Sequence, residues 1–288
     1  MWLVADNKES RTAPVAIAPG TDRRWSRIMR MACHSAIDGM NRSGINELQG
    51  IYWATGLGCL EDTERFLTEI HTITGSALSP TPFMRSTHNT MAGQMAMVLG
   101  SRGPNITVSQ HFFSFHLALL HAMLHSRESS SDTVLVGAAD ERTELLQNIT
   151  DALTSGFGTS STIVGEGAAS FLFSGERQDE MSIRVVDVWI GECADENTWQ
   201  QRIWKAGLVH ENVTHAFLGP DVVTSKLPWC PPHAEAVAYR NTTGTHHSAS
   251  AQAFAMAVEA LASSNKSGWA IVADRVGDRE AVILIERC

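Results

Sequence analysis

Short runs of β-branched and aromatic residues alternate with helical patterns along most of this chain, and that alternation restricts the fold more than any other feature. The segment GIYWATGLG (50–58) is typical of a buried strand that ends in a glycine turn, and DTERFLTEI follows as a predicted helix with Asp62 as its N-cap. The segment NITVSQHFFSFHLALLHAML (105–124) is a β-branched strand that runs directly into an apolar helix. Strands that alternate with helices predict an α/β fold in which helices cover the sheets.

Further segments continue this alternation towards both ends of the chain. The spacing of apolar residues predicts helices over Arg23–Met40 and Thr87–Gly100, and an alanine-rich helix over Ala249–Leu261. The segments TVLVGAADE, EGAASFLFSG and SIRVVDVWIG are typical of strands, and GWAIVAD and EAVILIE are expected to form a final strand pair. Residues 1–20 are expected to be irregular, apart from an apolar run between Pro14 and Pro19 that has the length of an edge strand.

Charge and cysteine content argue against several classes of partner and location. The 288 residues include 22 basic and 31 acidic side chains, and the net charge of −9 argues against nucleic acid and anionic membranes as partners. No apolar run reaches the roughly 18 residues of a membrane span, and MWLVADNKES lacks the features of a secretory signal. The five cysteines are scattered and odd in number, which favours reduced thiols. We therefore expect a cytoplasmic protein.

Three glycine motifs follow one another in order through the first half of the chain. Gly103-Pro104 precedes the strand NITVS, Gly137-Ala138 lies within TVLVGAADE, and Gly165-Glu166-Gly167-Ala168 begins the next predicted strand. In this order and spacing, the region Arg23–Gly175 resembles the first half of the β-ketoacyl synthases of the thiolase superfamily. The run ALSPTPFMRSTHNTMAGQMAM is similar to the short, chain-length-factor-like ketosynthase homologues of aryl polyene and related pigment clusters.

The resemblance implies both an architecture and a set of partners. It implies an α/β protein with a thiolase-like fold, layered α/β/α/β/α, with a shortened second half. Residues 1–175 would form the ketosynthase-like N-terminal half, and residues 176–288 the shortened C-terminal half of the same unit. The implied partner is an active β-ketoacyl synthase in a heterodimer, with an acyl carrier protein reached through that partner. No cofactor is implied.

The turn that joins the strand NITVS to the following helix, which we call the elbow, carries an unexpected residue. Aligned without gaps, VSQHFFSFHLAL places Phe112 where the resembling synthases have their nucleophilic cysteine. A condensing enzyme needs that thiolate, because it carries the acyl chain as a thioester during decarboxylative attack. Chain length factors, the inactive partners in ketosynthase heterodimers, have also lost the cysteine, often with glutamine in its place. The resemblance therefore implies no catalytic nucleophile, and we expect Phe112 to be a buried plug between the elbow helix and the core strands.

Other residues are weaker candidates for catalysis. Ser114 follows the joint, but phenylalanines flank it where a serine nucleophile elbow requires small residues. Nothing matches the synthases' His-Gly-Thr-Gly-Thr motif, and GTHHSASAQAFAMAV only echoes their second histidine motif, with the register open between His246 and His247. The segment ADRVGDREAV stands where the synthases have their gating loop. The joint loss of nucleophile, one histidine and gating loop argues against condensation.

Two groups of residues are expected to form a pocket and a subunit interface. The resemblance places His111, Phe112 and Phe113 at a cavity or tunnel end, and it places His88 and Asn89 near the same region, with helix capping or turn formation as their alternative role. The strand that would pair across the dimer axis consists of Asn105, Ile106, Thr107 and Val108.

Histidine and cysteine pairs at ligand-like spacing do not predict a metal site. His121 and His125 are four residues apart on one predicted helix, but no carboxylate or cysteine lies nearby at ligand spacing. Cys230 and His233 have a suitable spacing without a second pair. We therefore expect no bound metal.

Three functions are compatible with the sequence. The first is a non-catalytic, chain-length-factor-type subunit that pairs with an active ketosynthase in polyketide, polyene or fatty-acid-like biosynthesis. The second is an enzyme that acts on acyl thioesters through Ser114 or the His246/His247 region. The third is a stand-alone acyl-binding module. A decayed paralogue, whose elbow only fills its own pocket, is the alternative to all three.

Overall fold

Helices and strands alternate through the chain, as the sequence predicts. The computed structural model describes residues 1–4, 20–72, 78–156, 163–177, 182–193, 196–208, 210–219, 222, 230–264 and 267–288. The helices are α1 (Arg27–Ser43), α2 (Leu60–Thr72), α3 (Pro80–Arg85), α4 (Thr90–Leu99), α5 (Ser114–Glu128), α6 (Glu144–Gly156), α7 (Glu196–Ala206), α8 (Arg240–Thr243) and α9 (Ala249–Ser263). The strands are β1 (Trp2–Leu3), β2 (Gly50–Ala54), β3 (Asn105–Val108), β4 (Thr133–Asp140), β5 (Gly167–Ser174), β6 (Ile183–Glu192), β7 (Val213–Leu218), β8 (Glu235–Ala238), β9 (Gly268–Val276) and β10 (Arg279–Arg287).

The strands of the described residues form one sheet whose two halves share the same internal order. The sheet runs β3-β2-β4-β5-β1-β6-β10-β9-β7-β8. In the first half, β2 is parallel to β3 and β4, and β5 is antiparallel to β4. In the second half, β7 is parallel to β8 and β9, and β10 is antiparallel to β9. Strand β1 pairs with both β5 and β6 and so connects the halves.

Three apolar clusters define how the helices are layered on these strands. Helices α1 and α4 cover one face of β2 and β4, with Ile28 and Met91 fully buried between them. Helices α5 and α9 lie in a central cluster that includes side chains from both halves of the sheet, and the rings of Phe115 and Phe254 meet there at 5.7 Å. Helix α7 covers the other face of the second half through Trp199. The arrangement confirms the predicted α/β/α/β/α layering.

Several boundaries differ from the predicted ones. Helix α2 begins at Leu60, so Asp62 lies inside its first turn and the predicted N-cap is wrong. The amide of Thr63 instead donates to the carbonyl of Cys59, because the glycine turn before the helix already bends the chain into helical geometry. Helix α1 begins at Arg27, after Ser26, and not at Arg23.

The first residues of the chain are more regular than the sequence suggests. Trp2 and Leu3 form β1, although the segment was expected to be irregular, because the ends of β5 and β6 offer backbone groups that this short segment can pair with. The apolar run between Pro14 and Pro19 lies outside the described residues. Among the described residues, no helix combines the length and the apolar character needed to cross a membrane.

Candidate functional site

The turn between β3 and α5 is held in a strained conformation by backbone hydrogen bonds to a serine. His111 has a φ of +49°, in the left-handed region that residues with a side chain rarely adopt. The hydroxyl of Ser114 donates to the carbonyl of His111 at 2.6 Å and accepts from the amide of Gln110 at 2.8 Å. Ser114 is fully buried, so its hydroxyl serves to fix the turn and is poorly suited to act as a nucleophile.

Phe112 leaves this turn towards the second half of the chain. Its side chain is half-buried, and the fully enclosed neighbour is Phe113, so the expectation that Phe112 is buried among core strands is wrong. The Phe112 ring lies against the imidazole of His247, with 4.7 Å between ring centroids and 31° between planes. The guanidinium carbon of Arg240 lies 4.1 Å from the ring centroid, a cation–π geometry. Phe112 therefore connects the turn before α5 with the segment before α9, through its contacts with Arg240 and His247.

The two adjacent histidines before α9, His246 and His247, have different surroundings. His247 is the residue that faces the elbow, where it contacts Phe112 and His111. His246 is buried, with Nδ1 2.9 Å from the Ser248 hydroxyl and Nε2 3.4 Å from Oε1 of Gln252. Burial lowers the pKa of both histidines, and the Asp140 carboxylate opposes that shift.

A glycine provides the space that His247 occupies. Gly56 lies in the turn after β2, and a Cβ at that position would overlap the Cβ and ring of His247. The glycine turn predicted in GIYWATGLG therefore has a steric function, because it allows the loop before α9 to approach the end of β2.

Two consecutive acidic residues at the end of β4 line the same region. Oδ1 of Asp140 accepts hydrogen bonds from the Thr55 hydroxyl at 2.9 Å, the Gly56 amide at 2.9 Å and the Leu57 amide at 3.2 Å. The Asp140 Oδ2 atom is buried without a partner among the described residues. Burial raises the pKa of Glu141 to about 7, although Oε1 of Glu141 accepts from the Glu61 amide at 3.0 Å.

These side chains surround a cavity of about 210 Å³. It is mostly apolar, and the residues that line it are Leu57, Phe112, Asp140, Glu141, Leu146, Thr150, Val164, Thr245, His246 and His247. None of these lining residues carries a thiol, so they offer no group for a thioester intermediate. His111, Phe113, His88 and Asn89, which were also expected at the pocket, do not line it.

A buried polar network that the sequence analysis missed lies beneath Phe112. The hydroxyl of Tyr239 and the guanidinium of Arg240 donate to Oδ1 of Asp274 at 2.5 and 2.9 Å. Nε2 of His116 lies 3.7 Å from Oδ2 of the same aspartate, and complete burial lowers the pKa of His116 to about 4. An aspartate directly after the apolar run GWAIVA was the available sequence signal, because a buried carboxylate requires partners.

The segment ADRVGDREAV forms a continuous hairpin. β9 and β10 pair from Gly268–Arg287 to Val276–Arg279, and they are joined by Gly277, with a φ of +61°, and Asp278. Asp274 at the end of β9 holds Arg240, so this hairpin supports the guanidinium that covers Phe112.

The family follows from the sequence itself. A sequence profile described as "Beta-ketoacyl synthase, N-terminal domain" matches residues 3–181, well over half of the chain. The chain belongs to the β-ketoacyl synthase family. No curated protein sequence matches it.

Solved structures of β-ketoacyl synthase family proteins share its fold. The ishigamide ketosynthase/chain length factor has a TM-score of 0.75 at 20% identity, over 93% of this chain and 82% of that one. The ketosynthase ApeO, solved in complex with its chain length factor ApeC from Xenorhabdus doucetiae, gives 0.68 at 14% identity, over 95% and 84%. A β-ketoacyl synthase from Burkholderia phymatum gives 0.66 at 12% identity, over 96% and 85%.

The predicted interface strand forms one edge of the sheet in this β-ketoacyl synthase family chain. β3 pairs only with β2 among the described strands, and the side chain of Ile106 is 36% exposed. The Thr107 hydroxyl donates to Oδ1 of the exposed Asn89 at 2.9 Å. The side-chain amide of Asn105 donates to the carbonyl of Ala92 at 2.9 Å. Asn89 makes no side-chain capping bond to α4, so its side chain supports β3.

In the two pairs whose spacing in the sequence suits metal ligands, His125, Cys230 and His233 instead make hydrogen bonds within the protein. His125 lies between the Tyr52 hydroxyl and the Asp132 carboxylate, 2.8 Å from each. His233 contacts the carbonyl of Glu211 at 3.1 Å, and the Cys230 thiol contacts a backbone carbonyl. Among the described residues, no group of three histidines, cysteines or acids is arranged to hold a metal ion.

The raised pKa of Glu141 gives a testable pH dependence. Between about pH 4.5 and 7 the folded chain holds a proton on Glu141 that the unfolded chain has lost, so this group's contribution to stability is lost as the pH rises. His116, with a pKa of about 4, acts in the opposite direction between pH 4 and 6.5, because there the unfolded chain binds the extra proton. The two effects oppose one another in the wild type, so a variant is needed to separate them.

We expect Glu141→Gln to raise the melting temperature at pH 8 by about 5 °C and to leave it nearly unchanged at pH 4.5. The amide keeps an acceptor for the Glu61 amide and removes the cost of a buried charge. Thermal unfolding at the two pH values measures the effect, with the exposed Glu47→Gln as the matched control. A pH-independent shift would contradict the assignment of the raised pKa to Glu141.

Proposed function

We propose that this chain is a non-catalytic, chain-length-factor-type subunit that pairs with an active ketosynthase. The observation that carries the proposal is the elbow, which keeps its strained turn and its position at the start of α5 but presents a phenylalanine. That ring is held by Arg240 and His247, so it is built into the surrounding structure. Solved structures described as ketosynthase/chain length factor proteins support this type of subunit.

The proposed interface with the ketosynthase is the edge formed by β3 and the side chains beside it. A free strand edge with an exposed apolar residue is a template for pairing with another chain, and here that residue is Ile106. Asn89 braces the strand through Thr107, which keeps the edge in an extended form suited to pairing. An acyl carrier protein would deliver substrates to the ketosynthase partner, and the pair would act in polyketide, polyene or fatty-acid-like biosynthesis.

We further propose that residues 1–175 and 176–288 are the two halves of one thiolase-like unit. Strands β1–β5 end at Ser174 and β6 begins at Ile183, which supports a division between them. Within this division Phe112 belongs to the first half and His247 to the second, so the cavity would be built by both.

Co-expression with a ketosynthase that retains its cysteine tests the pairing. We expect the two chains to co-purify as a heterodimer, and we expect Ile106→Lys to prevent co-purification because it places a charge on the strand edge. Leu124→Lys, at a residue 47% exposed on α5, is the matched control and should leave the complex intact. A stable homodimer that ignores every ketosynthase offered, or equal losses in both variants, would contradict the proposal.

Phe112→Cys tests the non-catalytic assignment directly. Because Phe112 is only half-buried, we expect its replacement to cost roughly 1–2 kcal/mol, less than a fully buried phenylalanine. We expect no condensation of acyl and malonyl carrier-protein thioesters, since a thiol alone lacks stabilisation of the developing charge. A competent ketosynthase is the positive control. Efficient condensation by the isolated variant would overturn the assignment.

The cavity supports a second candidate, an acyl-binding module or an acyl-thioester enzyme with a non-cysteine site. Its neutral histidines and the Glu141 carboxyl, with a pKa of about 7, are the observations that favour it. Native mass spectrometry would detect a retained ligand, and turnover of acyl thioesters lost in His247→Ala would favour the enzyme. Neither result is expected if the chain acts only as a partner subunit.

A further inference from the structure

A basic groove lies near the C-terminal end of α5, whereas the site built around Phe112 lies at the N-terminal end of that helix. It is formed between α7 and β6, next to the end of α5, and its volume is about 600 Å³. We call it the α7–β6 groove. The residues that define its chemistry are Arg127, Arg184, Arg202, Lys205, Asp187 and Gln201.

The groove concentrates positive charge in a chain that is acidic overall. The sequence has 31 acidic against 22 basic residues, yet Asp187 is the one carboxylate lining the groove within the described part of the chain. Arg184 is paired with Glu286 at 2.6 Å. Arg127, Arg202 and Lys205 make no hydrogen bond or ion pair with any residue that the structure describes. Three positively charged side chains, one from α5 and two from α7, therefore line the α7–β6 groove, and none of them forms an ion pair with a described carboxylate.

Arg202 is held in a fixed orientation. Its guanidinium carbon lies 4.4 Å from the ring centroid of Trp189, and Trp189 is in turn packed edge-to-face on Trp199 at 5.4 Å. A guanidinium that stacks on an aromatic ring contacts the ring with its flat face. Its N–H groups lie in the guanidinium plane and can still donate hydrogen bonds to oxygen acceptors. Burial lowers the pKa of Arg202, and the carboxylates of Asp187 and Glu280 oppose that shift, as an anion in the groove would.

We propose that the α7–β6 groove binds a small molecule that bears a diphosphate group. The volume lies in the range of small-molecule sites, which is about 300–1,000 Å³. A diphosphate carries about three negative charges near neutral pH and so matches the unpaired Arg127, Arg202 and Lys205 better than a monophosphate does. Gln201 and Thr198 add polar side chains to the same wall. The proposal is independent of the pairing with a ketosynthase.

Titration of the purified full chain with inorganic pyrophosphate tests the site. By isothermal calorimetry at constant ionic strength, we expect saturable binding that weakens at least tenfold in Arg202→Gln/Lys205→Gln. Lys205→Glu is the second variant, because Lys205 is exposed and does not pack on Trp189, so it keeps the test valid if the double variant fails to fold. The matched control is Arg102→Gln, an exposed arginine outside the groove, which should bind as the wild type does.

Sulfate at the same ionic strength, adenosine diphosphate and coenzyme A complete the design. Sulfate should bind much more weakly than pyrophosphate, and the tighter binder of the other two would identify the source of the diphosphate. No pyrophosphate binding, equal binding by sulfate, or equal losses in the groove variants and Arg102→Gln would each overturn the proposal. Binding of an acidic protein without binding of pyrophosphate would also overturn it.

Discussion

Replacing Asp274 with alanine is expected to lower the free energy of unfolding by about 3–5 kcal/mol. Asp274 is 1% exposed, and it accepts hydrogen bonds from both the Tyr239 hydroxyl and the Arg240 guanidinium. Its removal would leave the guanidinium with its counter-ion gone in a nearly buried position, where an uncompensated charge is costly. The tyrosine hydroxyl would lose its acceptor in the same step.

Graded variants distinguish this network from a general effect of mutating the hairpin. Asp274→Asn keeps an acceptor oxygen but removes the charge, so we expect a loss about half as large as that of alanine. Asp278→Ala, in the exposed turn of the same hairpin, should change stability by less than about 0.5 kcal/mol. Urea unfolding at pH 7 gives all three values. Similar small losses in Asp274→Ala and Asp278→Ala would contradict the role of the network.

We expect Gly137→Ala to lower the free energy of unfolding by about 3 kcal/mol, the second largest of the predicted losses. A Cβ on Gly137 would overlap the ring of Trp53 and lie 2.6 Å from the carbonyl oxygen of Ala169. Trp53 is fully buried on β2 and Ala169 belongs to the neighbouring strand β5, so neither can move without disturbing the sheet. Gly137, inside β4, therefore lets an indole pack directly on the backbone of that strand.

A second glycine in the same chain offers a control of opposite sign. Gly93 lies inside α4, and a Cβ there would meet no atom within 4 Å. Gly93→Ala should therefore stabilise the protein by about 0.5–1 kcal/mol, because alanine is the better helix former. Thermal or urea unfolding of the two variants compares them directly. Equal effects would mean that the close packing of Trp53 on Gly137 does not determine the result.

The layered fold could be predicted because its determinants are local or sequential. The strands GIYWA and TVLVGAAD are apolar runs buried on both faces, and the ordered glycine motifs placed them in a family. Helices α6 and α7 were not predicted: the apolar residues of α6 have helical spacing, but none of its described residues is fully buried, and α7 packs chiefly through Trp199. Helix α7 gains its stability from tertiary contacts such as those of Trp199, which the sequence pattern does not show.

The candidate site was predictable in part, for a related reason. Phe112 and the histidine pair were found because a known pattern marked their positions. The burial of Phe112 was overestimated, because the strained φ of His111 turns the ring out towards His247, and a torsion of that kind is set by the folded turn. Asp140 and Glu141 follow one another at the end of β4, and Asp274 lies near the end of β9, with four strands between β4 and β9 in the sheet. Packing of both halves of the sheet on α5 and α9 brings these carboxylates near the elbow, and the sequence does not reveal that packing.

The two-residue strand β1 has a consequence for biosynthesis. Trp2 and Leu3 pair with Ser174, Phe173 and Arg184, partners that leave the ribosome about 180 residues later. At ordinary elongation rates of 5–20 residues per second, that interval lasts about 10–40 s. During that time Trp2 and Leu3 have no strand to pair with and are open to chaperones, and closure of the sheet is a late, non-local folding step.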